Sequence, residues 1–237
     1  MSFRCYLTVS LAAAIACACG PACAALYAED FDNYPPGALP DGWGVYQGNW
    51  EIMFDSLYYN DAESGWGAVR YIAGEGWTDY VLTVQSNLEY MLESTYANFA
   101  IGGRVDSKGG GYWLIRGFEL NGYVALIRTD NYARWPSQFL GSAYLAADGQ
   151  PHMFSLVFDH STISVFADGK AKPLIQATDS TYSSGSIAFE SGAGCFAWFD
   201  NVTVENAMVP EPSGLLALAG GLLIAVSARR RGTRVDG

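Results

Sequence analysis

Cysteine, histidine and basic residues are scarce in this 237-residue chain, and each scarcity removes a class of chemistry. Four of the five cysteines, Cys5, Cys17, Cys19 and Cys23, sit close to the N-terminus. The body of the chain holds Cys195 alone, so no disulfide forms within it. His152 and His160 are the only histidines, and with one cysteine they show no recognisable zinc spacing. Cys195 lies in an apolar run and reads as a buried, inert thiol. Between Ala25 and Val209 there are 22 acidic and 8 basic residues, a net of −14. That balance argues against nucleic acid, whose binders need a basic face, and against anionic lipid. It is compatible with divalent cations, neutral glycans or solubility alone. Helical periodicity is missing from the body, and no repeat of about forty residues marks a propeller.

The two ends differ from the body. Residues Met1–Arg4 carry one basic side chain, Tyr6–Cys19 is uncharged and apolar or small, and Ala22-Cys23-Ala24 supplies a small-x-small cleavage site. This predicts a signal peptide over 1–24, with the mature chain starting at Ala25 or Leu26. A lipoprotein signal is the competing reading, although none of Cys17, Cys19 and Cys23 has Leu three positions earlier. At the other end, Gly214–Ala228 is a run of fifteen uncharged residues followed by Arg229, Arg230, Arg231 and Arg234. As a helix it spans roughly 22 Å against about 30 Å of bilayer hydrocarbon, short for a permanent anchor. The arginines place this end in the cytoplasm and the bulk of the chain on the other side.

Pro210, Glu211 and Pro212, the short apolar transmembrane helix and the arginine cluster together resemble the PEP-CTERM sorting signal of Gram-negative bacteria. The resemblance covers residues 208–237. It implies an exosortase-type sorting machinery as partner and transient anchoring in the inner membrane. Delivery to the cell surface or extracellular matrix follows, in a setting of exopolysaccharide and biofilm.

The body, 25–207, reads as strands throughout. Trp77–Gln85 (in its second half), Met153–Phe158, Ser161–Phe166 and Cys195–Val204 are rich in β-branched and aromatic residues with period two. Asp41-Gly42, Asn121-Gly122, Asp148-Gly149, Asp168-Gly169 and Ser184-Gly185 punctuate them as turns. Roughly a dozen short strands predict an all-β, two-sheet antiparallel sandwich. Within it, Trp198, alternating with Phe196, reads as core.

Asp148-Gly149-Gln150-Pro151-His152, the run Phe154–Phe158 and Ile163–Lys170 resemble the central hairpin of laminin-G-like domains, members of the concanavalin A-like jelly rolls. Pro151 stands where that family usually has Trp, and Phe166 where it has Tyr. Asp30-Phe31-Asp32 with Leu39–Trp43 and Gly48–Ile52 resembles the opening strands of bacterial members, which implies structural roles for Trp43 and Trp50, and Trp198–Val202 resembles the closing one. The resemblance implies a jelly roll over essentially all of 25–207. It also implies a structural Ca2+ where the first and last strands meet, held by Asp30, Asp32 and Asp200.

The same jelly roll carries retaining glycosidases, which need two carboxylates about 5–5.5 Å apart. No Glu-x-Asp-x-Glu is present: Asp61-Ala62-Glu63 stops at Gly65, and Asp30 with Asp32 lies in the opening strand. Sugar binding fits the composition better, with seven tryptophans and fourteen tyrosines between Ala25 and Val209. Tyr132, Arg134 and Trp135 share a stretch without strand period and make a candidate stacking platform. Arg104, Tyr112, Arg116 and Arg128 fall on the sheet that resembles the ligand-facing one. A carbohydrate-binding domain is therefore the leading expectation. A non-binding matrix protein and a glycoside hydrolase remain the alternatives.

Overall fold

The computed structural model describes residues 25–60, 65–91, 98–117, 122–131, 138–146, 148–192 and 195–207. Residues 1–24, the expected signal peptide, everything from residue 208 onward (Pro210, Glu211, Pro212, Arg229, Arg230 and Arg231 included), and Tyr132, Arg134 and Trp135 lie outside the described residues. Among the described residues every regular element is a strand, and no helix is long and apolar enough to cross a membrane.

One sheet contains β1 (Ala25–Glu29), β3 (Trp50–Met53), β4 (Ser56–Tyr59), β6 (Tyr80–Met91), β11 (His152–Asp159), β12 (Thr162–Ala167), β13 (Ile175–Thr178) and β15 (Cys195–Asn206). Its order is β13-β12-β11-β6-β15-β4-β3, with β1 pairing to β15. The other contains β2 (Trp43–Gln47), β5 (Gly67–Tyr71), β7 (Asn98–Val105), β8 (Gly111–Gly117), β9 (Tyr123–Thr129), β10 (Gln138–Tyr144) and β14 (Ser186–Ser191). Its order is β10-β9-β8-β7-β14-β5-β2. All pairings are antiparallel, and consecutive strands cross repeatedly between the sheets. The chain is the all-β jelly-roll sandwich that its alternation predicts.

The core follows from that alternation. Leu82, Val84, Phe154, Leu156, Phe158, Ile163 and Val165 line the inner face of the eight-stranded sheet. Val69, Phe99, Ile101, Leu114, Leu126 and Phe189 line that of the seven-stranded sheet. Trp43 and Trp50 are buried in this core, as expected. The hairpin of β11 and β12 has the register Phe154↔Ala167 to Asp159↔Thr162, and Asp168 and Gly169, both with positive φ, follow β12.

Trp198 departs from its expected place. Ala197 and Phe199 are the core residues of β15, so Phe196 and Trp198 point the other way and are half-buried. The parity of β15 is set by Phe199, which packs on Phe99, Phe189 and Trp50. The larger ring gains nothing from size when its neighbours in sequence already fill the interior.

Candidate functional site

Two neighbouring transverse rows define the outer face of the seven-stranded sheet. The first runs Arg70, Ala188, Gly102, Trp113, Ile127, Phe139, each residue opposite the next on adjacent strands. The second runs Ala68, Glu190, Ala100, Ile115, Ala125, Ser142. Ala100, Val105, Trp113, Ile127 and Ala188 form a small second core on this face. The β7–β8 hairpin helps to close it: Trp113 Nε1 donates to the Gly109 carbonyl and Tyr46 Oη to the Asp106 carbonyl. Gly102 belongs here for a local reason, since a Cβ would stand about 2.9 Å from the Trp113 ring.

Both edges of the face stand out chemically. At β9–β10, Tyr123 and Tyr144 are direct cross-strand partners, with rings 5.6 Å apart in an edge-to-face arrangement. They are 47% and 64% exposed, and Phe139, on the same face, is 61% exposed. At β5 and β14 lie Arg70 and Glu190, both buried. Arg70 Nη2 is 2.6 Å from Glu75, and its guanidinium carbon is 5.9 Å from the centre of the Tyr46 ring. Arg70 Nη1 is buried with no hydrogen-bond partner among the described residues. Glu190 is the only acidic residue in any described strand of this sheet.

The arginines and tyrosine expected on the ligand-facing sheet do belong to it, but their side chains turn inward. Tyr112 and Arg116 share the parity of the core residue Leu114, and Arg128 that of Leu126. Tyr112 is fully buried and its hydroxyl reaches Asp179 at 2.8 Å. Burial pushes the phenol up to about 12. Arg128 Nη1 contacts Asp179 and Thr181, both at 2.6 Å. Arg116 Nη2 donates to the Ala146 carbonyl at 3.0 Å, and its burial lowers its pKa. Arg104 is turned inward by a bulge, because Val105 pairs with Ser186 whereas Gly102 pairs with Ala188. With φ of 50° it sits where few non-glycine residues do. These four side chains brace the interior and the ends of the sandwich and leave none for a ligand on the outer face.

Where β1 meets β15, Asp30 and Asp32, with Asp55 from the β3–β4 turn, lie near enough to Asp200 to repel its charge. Burial, and then repulsion from Asp32, Asp30 and Asp55, raises the Asp200 carboxyl above its ordinary range, against a lowering hydrogen bond from Asn201. A bulge after Asp200 sets this position, since Asp200 faces Gln85 whereas Thr203 already faces Thr83, and Asn201 has φ of 49°. Beside it a cleft of about 450 Å³ is lined by Glu29, Asp30, Asn33, Asn201 and Thr203. The donors are hard oxygens, the type that Ca2+ takes. Among the described residues, no three acidic, histidine or cysteine side chains are grouped closely enough to hold a metal ion.

Arg70 and Glu190 were not singled out from the sequence, although a trace of them is there. Each is a charged residue at the outward parity of an apolar strand, Gly67–Tyr71 and Ser186–Ser191. What linear reading misses is that 120 residues apart becomes one strand apart.

No protein-family model matches the chain, and no curated protein resembles it significantly. Solved structures do resemble it in fold. The carbohydrate-binding module CBM66 from Bacillus subtilis matches with a TM-score of 0.57 at 18% identity, over 70% of this chain and 96% of that one. The exoplasmic/lumenal domain of VIP36, in its Ca2+/Man-bound form, matches with a TM-score of 0.56 at 13% identity, over 72% and 85%. A protein with a galectin-like fold from Bacillus subtilis matches with a TM-score of 0.55 at 16% identity, over 78% and 97%.

Proposed function

We propose that this chain is an exported carbohydrate-binding protein that holds a polysaccharide on the outer face of its seven-stranded sheet. The observation that carries the reading is the Tyr123–Tyr144 pair with Phe139. Three half-exposed or exposed rings lie on one sheet face, where pyranose C–H surfaces stack well. The structures it resembles support it further, since one is named as a carbohydrate-binding module and another is mannose-bound. Trp135, with Tyr132 and Arg134, lies in the segment joining β9 to β10, and we assign it to the same platform.

The signal peptide and sorting signal expected from the sequence support export. We propose that an exosortase-type machinery, at the inner membrane of a Gram-negative bacterium, passes the chain to the cell surface or matrix, where exopolysaccharide is the ligand. A structural Ca2+ at the β1–β15 junction would offset the repulsion at Asp200 and would have to draw Asp30, Asp32 and Asp200 closer together than they stand in the described structure. A glycosidase is less well supported, because Glu190 stands without a second acidic residue in the described strands of that sheet.

The test is a glycan array probed with the full chain and with its Tyr144→Ala and Trp135→Ala variants. Wild type should bind at least one polysaccharide, and Tyr144→Ala should lose roughly five- to tenfold in affinity. Equal binding by wild type and both variants would remove the platform, and absence of all binding would favour a structural matrix protein.

A further inference from the structure

The two edges of the outer face offer different chemistry, and the Arg70 edge is the more discriminating. Among the described strands of this sheet, Arg70 is the only basic residue facing outward, because Arg104, Arg116 and Arg128 turn in. Glu190 is the only acidic residue in the described strands of this sheet, and it lies on the strand beside Arg70. Arg70 faces Ala188, and Glu190 is two residues further along β14, a diagonal neighbour at about 7–8 Å. In a chain with so many acidic residues, this one strand carboxylate stands next to the one outward guanidinium.

We propose that Arg70 and Glu190 form a second subsite of the carbohydrate-binding face, one that reads adjacent hydroxyls of a neutral sugar. This rests on the carbohydrate-binding function proposed above. Arg70 supplies the donor. Its Nη1 is buried and without a partner among the described residues, while Nη2 is committed to Glu75. A buried donor left unmade is costly, so an acceptor that fills it is favoured. Glu190 supplies the acceptor, because a carboxylate has about four lone-pair sites and keeps capacity beyond any one partner. A vicinal diol offers both complements at once, and hydrogen bonds to charged groups are the stronger kind. The Tyr46 ring beside the guanidinium and Ala188, which is small, shape the edge.

The charge balance selects the ligand class. Arg70 is paired with Glu75 and has Glu190 on the neighbouring strand, so this edge offers no net positive field to a uronate or other acidic sugar. Neutral polysaccharide is accepted and polyanion is not, and binding is insensitive to salt. The subsite also lies far from the aromatic edge. β5 and β10 are separated by four strands, or about 24 Å across the sheet, so one monosaccharide cannot reach both edges.

Affinity electrophoresis of the full chain tests this, in gels containing dextran, mannan, galactan or fructan, and in gels containing alginate or polygalacturonate. The expected result is retention by at least one neutral polymer, unchanged by added salt. Arg70→Ala and Glu190→Gln should each weaken retention about tenfold, and Arg70→Lys should weaken it less than Arg70→Ala. Thermal melts check folding, and the near-isosteric Glu190→Gln serves should Arg70→Ala unfold. If Tyr144→Ala loses binding while the Arg70 and Glu190 variants bind as wild type, the subsite is overturned and the aromatic platform stands. Retention only by the acidic polymers, falling with salt, overturns the neutral class. No retention in any gel overturns both the subsite and the binding function.

Discussion

Phe189 of β14 and Phe199 of β15 lie face to face across the sandwich, with ring centroids 4.2 Å apart and planes 7° from parallel. Each comes from a different sheet, and both are fully buried. Trp43 stacks on Phe189 at 5.2 Å, and Trp50 and Phe99 approach Phe199 at 6.0 and 5.7 Å. The contact joins the two layers at the point where the fold has most to lose. Phe199→Ala is expected to cost about 3–5 kcal/mol, as large aromatic truncations do. Phe199→Leu should cost clearly less. Urea denaturation followed by tryptophan fluorescence checks both, and equal stability of the alanine variant would show that the rings do not carry the interface.

Arg104 makes a second prediction. Its Nε donates to the Thr78 carbonyl, Nη1 to the carbonyls of His160 and Tyr182, and Nη2 to Asp79 at 2.9 Å. Three connections, β5–β6, β11–β12 and β13–β14, are thereby tied to one side chain. Arg104→Ala leaves those carbonyls and Asp79 without their donor and is expected to cost about 3–5 kcal/mol. Arg104→Lys should recover only part of it, because an ammonium cannot reproduce the planar fork. Denaturant midpoints for the two variants decide the matter, and identical midpoints for Lys and wild type would contradict the fork.

Asp179 predicts an acid-dependent loss of stability. Burial alone would raise its pKa, but the Thr181 amide and hydroxyl, the Tyr112 hydroxyl and Arg128 outweigh it and hold the carboxyl below its ordinary value. A depressed acid contributes stability above its unfolded pKa, near 3.9, and loses it as pH falls through the folded value. The stability difference between wild type and Asp179→Asn should therefore be full at neutral pH and shrink below about pH 4. Melting both proteins from pH 7 down to pH 3 measures it, and a difference that does not vary with pH would be the contrary result.

Asp200 has the opposite sign. Its raised pKa means that the ionised form is disfavoured in the folded state, so its contribution worsens as pH rises through the folded value. In EDTA at neutral pH, Asp200→Asn should be at least as stable as wild type. Adding millimolar Ca2+ should raise the melting temperature of wild type and leave that of Asp200→Asn unchanged. An equal Ca2+ response from both would place the ion elsewhere.

The architecture was largely legible in the chain, because strand parity writes the core into every second residue. Phe154, Leu156 and Phe158 against Ile163 and Val165 could be paired on sight, and the Asp168-Gly169 turn followed. Side chains whose direction depends on a bulge or on a distant partner were not. Arg104 turns inward through an irregular register against β14, and no local pattern signals it. Trp198 looked like core by its alternation with Phe196, but its neighbour Phe199 had the interior partners. Arg70 and Glu190 meet only because β5 and β14 pair, a contact that loop entropy and whole-sheet topology decide rather than any local preference.

The pairing of β1 with β15 sets how the domain hangs. Ala25 is opposite Glu205, so the described chain starts and finishes side by side on the eight-stranded sheet. Whatever is joined to either end is tethered at that one corner, like two cords knotted at the same ring. The seven-stranded sheet is the opposite layer, so a tether of either kind leaves Arg70, Glu190 and Tyr144 directed away from the point of attachment.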